Sequence, residues 1–325
     1  MSYLKKLRRM VLDLPRVRAL IDGVAFYRAY GTFRPTKLRL PHSGNTLHVD
    51  RREPRGRGVL KHQAAGQPDT KAIWHQAIRG LQPMIVIDVG LNYGEFLFDE
   101  KYTAGAILLG VEANPALRGW LEKSAADHPN SAQIRLAFAL ASDRAGPAAT
   151  FYVDPTSSGR SSAVLRDEDD ASQACEVPTV TVDSFFDQLT DEDLATRNVV
   201  FKVDVEGYEV FVLRGMRRLF GRCKGLVGII EFNSTLLRKS GADPDAFLLE
   251  ISDRFPRMLV LKDGQFRDLA QPSLAALRTL CGAQEVEVDL ILFSSASLLD
   301  SVTIRGRKGA SPDNPQKASA GGVAL

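Results

Sequence analysis

The chain has 325 residues, 44% of them hydrophobic and 25% charged, which is the composition of an ordinary soluble globular protein. No apolar run approaches the roughly 18 residues of a membrane-spanning helix, and the N-terminus lacks the apolar core of a signal peptide. The three cysteines are far apart and exclude a disulfide framework or a zinc-finger spacing, so we expect a reducing, cytoplasmic location.

Positive charge is concentrated at the N-terminus. Residues 1–61 hold 15 Lys or Arg against 4 Asp or Glu, although the whole chain carries only +3. Helical spacing in residues 3–30 is interrupted at Pro15, and a second helical stretch is predicted over Val17–Tyr30. Such a basic helix can lie on an anionic membrane or polyanion, peripherally, or it can pack its apolar side on the main domain. Of the two, we favour packing.

Residues 37–50 alternate on either side of a glycine turn and predict a β-hairpin. Residues 51–61 are rich in arginine and broken by proline and glycine, which predicts a loop. The loop contains no aromatic residue for base stacking, so nucleic acid is not an expected partner. A helix is predicted over Lys71–Arg79. We therefore expect an N-terminal extension at 1–80, one catalytic domain at 81–304 and a disordered tail at 305–325.

The central motif is a strand, a glycine turn and a helix. The β-branched run Met84–Val89 leads into Gly90-x-Asn92-x-Gly94, and a helix is predicted at Glu95–Thr103. Glycines accept positive φ and let a ligand approach the backbone. An acid before the first glycine, Asp88, repels a pyrophosphate but attracts an ammonium group. S-adenosylmethionine has such a group and no phosphate.

The next strand, Ile107–Glu112, also ends in an acid, and a carboxylate there can accept two ribose hydroxyls. Beyond it, strands and helices alternate, which predicts an α/β fold with a mostly parallel sheet and helices on both faces. The expected elements are a helix at 115–126, strands at 133–140, 148–153, 199–204, 226–231 and 287–293, an edge strand at 177–182, a helix at 245–254 and a hairpin at 258–269.

A second group of polar residues follows Phe201. Lys202 and Asp204 point to one side of their strand, because strand side chains alternate. Lys202 is equally well interpreted as a structural ion-pair partner or as part of the site. Asp204 lies at the strand end, where ligands bind in open α/β sheets, together with Glu231 of the following strand. The segment Glu231–Asn233 either shapes an acceptor pocket or caps the next helix. Glu209, in the first turn of a predicted helix, either belongs to the site or only favours the helix dipole.

These motifs together resemble the FkbM family of S-adenosylmethionine-dependent methyltransferases. The resemblance spans about residues 84–235 and rests on Asp-Val-Gly-Leu-Asn-Tyr-Gly at 88–94, Val-Glu-Ala-Asn-Pro at 111–115, Ala-Leu-Ala-Ser-Asp at 139–143 and Phe-Lys-Val-Asp-Val-Glu-Gly-Tyr-Glu at 201–209. Leu91 and Ala113 depart from the family pattern. Neither departure removes a charged or glycine position.

The resemblance implies a class I Rossmann-like fold and O-methylation of a sugar, glycan or natural product. It implies cofactor contacts from two groups of residues: Asp88, Gly90, Asn92 and Gly94 around the methionine end, and Glu112, Asn114, Ala139 and Leu140 around the nucleoside. It implies that Asp204 lies beside the transferred methyl group. A carboxylate there can take the hydroxyl proton, with Lys202 holding its charge and orientation, and Glu206 or Glu231 is the alternative base. No metal is required.

Two other functions remain open at this point. The first is an NAD-type oxidoreductase on the same fold, although the acid before the first glycine and the missing third glycine argue against it. The second is a non-catalytic binding module in glycan assembly. No histidine pair has a metal-binding spacing, although His42 and His48 could face each other across the hairpin. The acceptor cannot be identified from loops 154–176 and 233–245.

Overall fold

The computed structural model describes residues 15–166 and 171–302. The basic segment before Pro15 and the tail predicted at 305–325 lie outside the described residues, as do residues 167–170 of the acidic loop. Among the helices that the structure describes, none is both long and apolar enough to cross a membrane.

The described strands form three sheets. In chain order the strands are β1 (Lys37–Arg39), β2 (Thr46–His48), β3 (Ile85–Val89), β4 (Ile107–Val111), β5 (Ile134–Ala137), β6 (Leu140–Ala141), β7 (Gly146–Val153), β8 (Gln173–Val180), β9 (Asn198–Val203), β10 (Gly225–Asn233), β11 (Arg257–Lys262), β12 (Gln265–Asp268) and β13 (Glu287–Phe293). The large sheet has the order β12-β11-β13-β10-β9-β3-β4-β5, in which β10, β9, β3, β4 and β5 are parallel.

Helices cover both faces of this sheet, and their bounds in chain order are α1 (Pro15–Tyr30), α2 (Pro54–Lys61), α3 (Pro68–Leu81), α4 (Arg118–Ala126), α5 (Asp191–Ala195), α6 (Glu209–Arg214), α7 (Arg217–Arg222), α8 (Ser234–Lys239), α9 (Pro244–Ser252), α10 (Leu274–Cys281) and α11 (Ala296–Ser301).

Alternate residues of β3 belong to two different cores: Ile85 and Ile87 pack on one face, and Val86 packs on the other. The predicted α/β fold with a mostly parallel sheet is therefore confirmed. Phe26 and Trp74, which precede the central motif in the sequence, pack in the same hydrophobic core as Val86.

Both predicted hairpins are confirmed. Strands β1 and β2 pair antiparallel, and so do β11 and β12. The second turn has positive φ at both Asp263 and Gly264, which is the backbone of the tight turns that join twisted strands. Strand β13 runs antiparallel between β10 and β11 with the predicted bounds, Glu287–Phe293.

The helix predicted at residues 95–103 is wrong. This segment forms only turns, because its backbone groups are bound by side chains from elsewhere. The Asp88 carboxylate accepts the N–H of Leu97 at 3.3 Å, and Asn45 Nδ2 donates to the carbonyl oxygen of Phe98 at 2.9 Å. A helix over 95–103 would pair the Phe98 carbonyl with the N–H of Tyr102, but this N–H donates to Asn130 Oδ1 at 3.1 Å instead.

The loop predicted at residues 51–61 is also wrong, because α2 forms there. Glu53 caps this helix by accepting the N–H groups of Arg55 and Gly56, and Pro54 fits the first helical turn. These local start signals outweigh the glycines that suggested a loop.

The predicted strand at 177–182 is not an edge strand. It is part of β8, the middle strand of a small sheet with the order β6-β8-β7. The register shifts between Gly146 and Ala149 of β7, opposite Pro178. This bulge accommodates a residue that has no N–H to donate. The predicted strand 133–140 is correspondingly split into β5 and β6, which belong to different sheets.

Candidate active site

A cavity opens at the carboxyl ends of β3, β4 and β9, where parallel α/β sheets bind ligands. Eight of the predicted site residues line it: Asp88, Gly90, Asn92, Glu112, Ala139, Leu140, Lys202 and Asp204. The other three, Gly94, Asn114 and Glu206, are not part of its lining. Each of these three is the chain neighbour of a lining residue, namely Glu95, Ala113 or Val205.

The glycine turn brings two strand ends into direct contact. Gly90 has a φ of +79°, and a Cβ placed there would lie 1.8 Å from the carbonyl oxygen of Asp204. Gly94 has a φ of +84°, and its Cβ would lie 2.3 Å from the ring of Phe98. Asn92 lies between them, also with positive φ, and donates from Nδ2 to Ser158 Oγ at 3.1 Å. Both glycines are therefore required by the space around them as well as by their backbone conformation.

Asp88 is buried at the end of β3, with 1% of its surface exposed. Its Oδ2 accepts the Leu97 N–H, while its buried Oδ1 has no hydrogen-bond donor among the described residues. Burial raises the pKa of Asp88 to about 7, although the nearby Lys202 ammonium partly opposes the rise. An unpaired buried carboxylate oxygen beside a cavity is the arrangement expected for binding a cationic group.

Glu112 is buried at the end of β4 and is held at both oxygens. Its Oε2 accepts the N–H of Asn92 at 2.6 Å, and its Oε1 accepts the N–H of Asn114 at 2.7 Å. Burial raises the pKa of Glu112, and these N–H donors oppose the rise. Asn114 also caps the helical turn that follows, so it orients Glu112 and does not itself reach the cavity.

Lys202 and Asp204 form an ion pair, with 2.7 Å between Lys202 Nζ and Asp204 Oδ2. Lys202 is buried, and its Nζ lies 4.9 Å from the centre of the Phe96 ring. Burial alone would lower the pKa of Lys202, but the carboxylates of Asp204 and Asp88 raise it above its usual value. Asp204 is about a quarter exposed, and both residues of the pair line the cavity.

Comparison with known proteins identifies the family. Residues 88–261, more than half of the chain, match the family described as the methyltransferase FkbM domain. The chain belongs to the FkbM methyltransferase family. A search of curated proteins finds no match for it.

Solved structures show remote similarity to this FkbM chain. TomG, an O-methyltransferase from Streptomyces achromogenes in complex with SAM, is 10% identical with a TM-score of 0.37, covering 72% of this chain and 87% of its own. An O-methyltransferase from Bacillus cereus in complex with SAH is 8% identical with a TM-score of 0.40, covering 74% and 90%. Neither similarity carries an argument about site residues or substrate.

Beside the cavity of the FkbM domain lies a group of three acids, Asp204, Glu206 and Glu231, with ligand oxygens within 4.8 Å of one another. Arg166 pairs with Glu206 and Lys202 pairs with Asp204, so cationic side chains already neutralise two of the three. Burial, followed by the charge of Asp204, raises the pKa of Glu206 to about 7.

Glu231 carries the third carboxyl group of this cluster. Burial, followed by the charge of Asp204, raises its pKa well above the usual value, and its Oε2 has no partner among the described residues. Glu231 is not part of the cavity lining, so its role in an acceptor pocket stays a prediction. The helix-capping role considered for this segment belongs to Asn233, which accepts the N–H groups of Thr235 and Leu236.

The sequence did not reveal the role of Glu209. This residue is fully buried, and its Oε1 accepts the N–H groups of Val205 and Gly207, each at 3.1 Å. Glu206 and Gly207 both have positive φ, so the turn after Asp204 has no internal bonds for these N–H groups. Glu209 therefore fixes the turn that carries Asp204 and does more than interact with a helix dipole. An acid two residues after the glycine of the turn was the available signal.

The N-terminal extension also reaches the cavity, which sequence reasoning missed. Arg55 of α2 lines the cavity and pairs with Glu95, which follows the glycine turn. Glu53 accepts the N–H of Ser158, and Ser158 is the residue that accepts from Asn92. No local sequence pattern predicts these contacts, because the two residues of each contact are 40 or more positions apart.

Proposed function

We propose that this FkbM chain transfers a methyl group from S-adenosylmethionine to a hydroxyl oxygen of a sugar, glycan or natural product. The observation that carries the proposal is the unpaired, buried Oδ1 of Asp88, in the same cavity as Glu112 and Asp204. The amino group of S-adenosylmethionine suits Asp88, and its ribose hydroxyls suit Glu112. Ala139 and Leu140 offer an apolar surface for the adenine.

S-adenosylmethionine, when bound, supplies a methyl group already activated by a sulfonium. The protein's part is to orient the acceptor, exclude water and remove one proton. Asp204 is the exposed carboxylate at the cavity and is the proposed proton acceptor. Lys202 holds it by the 2.7 Å ion pair, and Glu209 fixes the turn that carries it. Glu206, bound to Arg166, is the alternative base.

The test measures binding and transfer separately. S-adenosylmethionine and NAD⁺ are titrated side by side into the full chain by calorimetry, and labelled S-adenosylmethionine is then offered with glycans, lipids and small polyols. We expect binding of S-adenosylmethionine alone, and label on the oxygen of one acceptor class. Binding of NAD⁺ alone would support the oxidoreductase alternative and refute the proposal. Binding of S-adenosylmethionine without methyl transfer to any acceptor would refute the proposed activity and support the non-catalytic binding module.

We further propose that α1 docks the protein peripherally on an anionic, cytoplasmic membrane surface. Phe26 packs α1 on the domain, but Leu20, Ile21, Val24 and Tyr27 are exposed, and Phe33 extends this apolar stripe by stacking on Tyr27 at 4.8 Å. Residues 20–61 add 9 basic side chains against 3 acidic ones. An apolar helix surface with basic surroundings suits an anionic lipid surface.

Vesicle sedimentation tests this docking. The wild type should sediment with anionic vesicles at low salt, less at high salt, and not with neutral vesicles. Val24→Gln should weaken sedimentation, whereas Leu249→Gln, at a residue 62% exposed on α9, should not. Equal sedimentation of both variants and the wild type would refute a docking role for α1.

A further inference from the structure

Two histidines and one glutamate meet on the flank of the fold, away from the cavity. His42 lies in the turn between β1 and β2, His75 lies in α3, and Glu100 follows the glycine turn. Glu100 Oε1 is 2.8 Å from His75 Nδ1 and 3.2 Å from His42 Nε2. The two imidazole rings stack with 3.8 Å between their centres. None of these three residues lines the cofactor cavity.

The spacing of these atoms fits a common ion. Zinc binds imidazole nitrogen and carboxylate oxygen at about 2.0–2.2 Å, so two ligands at a tetrahedral angle lie roughly 3.3 Å apart. The three candidate ligand atoms all lie within 4.8 Å of one another, and both separations to Glu100 are close to the tetrahedral value. Small rotations of the side chains would therefore bring all three to one metal.

Neighbouring groups act on two of the three candidate ligands, His42 and Glu100. Burial, followed by the charge of the neighbouring His75, lowers the pKa of His42, although Glu100 opposes the shift. Glu100 is buried, and its second oxygen accepts the N–H of Lys101 at 3.3 Å, which helps to hold the carboxylate.

Arg79 is the group that a metal would have to displace. It donates to His42 Nε2 at 2.7 Å, but its side chain is exposed and can return to water.

We propose that His42, His75 and Glu100 bind a divalent transition-metal ion, with zinc as the expected occupant, and that water completes its coordination. Two imidazoles and one carboxylate form a ligand set that suits zinc. Any proton on the ligating ring nitrogens leaves to solvent as the metal binds.

The proposed metal has a structural role. It joins the β1–β2 hairpin and α3 to the segment that follows the glycine turn. Asn45 Nδ2 already donates to the carbonyl oxygen of Glu100 at 2.9 Å, so the metal would reinforce an existing attachment. His48 takes no part, because its Nε2 pairs with Asp127 at 2.8 Å. The sequence alone does not predict this site, because His42, His75 and Glu100 do not follow any short metal-binding spacing.

The experiment uses the untagged full chain after dialysis against a chelator, because a polyhistidine tag would bind metal itself. Zinc chloride is added, free metal is removed by desalting, and retained zinc is counted by mass spectrometry. We expect about one zinc per chain. At a zinc concentration one hundred times the Kd, the thermal midpoint should rise by about 5 °C.

Variants locate the site. His42→Ala, His75→Ala and Glu100→Gln should each weaken zinc binding by about tenfold or more, whereas His62→Ala, at an exposed histidine outside the group, should bind as the wild type does. Cobalt(II) added to the wild type should give the visible bands of a low-coordinate site, a readout that needs no variant. Failure of the wild type to retain zinc, or equal retention by all four variants, would overturn the proposal and leave a hydrogen-bonded group only.

Discussion

The proposed contact between Asp88 and the amino group of S-adenosylmethionine predicts that cofactor affinity depends on pH. The apo carboxyl titrates at about 7, because burial outweighs the nearby Lys202 ammonium. A bound ammonium favours the ionised form, so binding lowers this pKa and the affinity rises with pH towards 7. With an apo pKa of 7, the ionised fraction is about 3% at pH 5.5 and about 50% at pH 7.0. The affinity for S-adenosylmethionine should therefore increase by about fifteenfold across this window.

Calorimetry in two buffers of different ionisation enthalpy measures this effect directly. At pH 7.0 about half a proton should be released for each S-adenosylmethionine bound. The window stays below the range of roughly 7.7–8.0 in which free α-amino groups titrate, so that the ligand's ammonium remains charged.

Two variants identify the titrating group. Asp88→Asn should bind at least tenfold more weakly at pH 7.0, with an affinity that is flat from pH 5.5 to 7.0. Glu112→Gln should bind weakly but keep the pH dependence. An affinity that changes by less than about twofold in the wild type would refute the reasoning, and a pH dependence that survives in Asp88→Asn would assign it to another carboxyl group.

Three further substitutions test the site. Glu112→Ala should weaken S-adenosylmethionine binding by about 2 kcal/mol or more, because charge-assisted hydrogen bonds are lost; unchanged affinity by calorimetry would remove the ribose assignment. Asp204→Asn should slow single-turnover methyl transfer by about 10²–10⁴ with little change in affinity, and near-normal turnover would show that Asp204 is not the base. Gly90→Ala should cost about 3 kcal/mol or more in denaturant unfolding, because of the clash and the positive φ, whereas Gly119→Ala, with open space around it, should not destabilise the protein.

Much of the fold could be predicted because its signals are local. Buried parallel strands read as β-branched runs, and the glycine turn with its acid needs only seven consecutive residues. Asp88, Glu112 and Asp204 could be placed together for a topological reason, since each lies at the carboxyl end of a strand in the parallel part of one sheet.

The missed features depend on contacts between distant residues. The segment at 95–103 has a helical pattern, but Asn45 and Asn130 bind the Phe98 carbonyl and the Tyr102 N–H, which a helix would pair with each other. The contribution of α2 to the cavity could not be predicted either, because Arg55 and Glu53 contact partners that are distant in the sequence. Pairing partners of β8 could not be read from its sequence for the same reason.

The contact between Gly90 and the carbonyl oxygen of Asp204 has a consequence for how the protein is made. Asp204 follows Gly90 by more than a hundred residues. The Asp204 carbonyl can contact the glycine turn only after β9 has paired with β3. A nascent chain that has passed the glycine motif but not β9 therefore lacks a formed cofactor site. Such non-local pairing is slow, so S-adenosylmethionine can stabilise only a chain in which β9 has paired with β3 and cannot guide earlier folding.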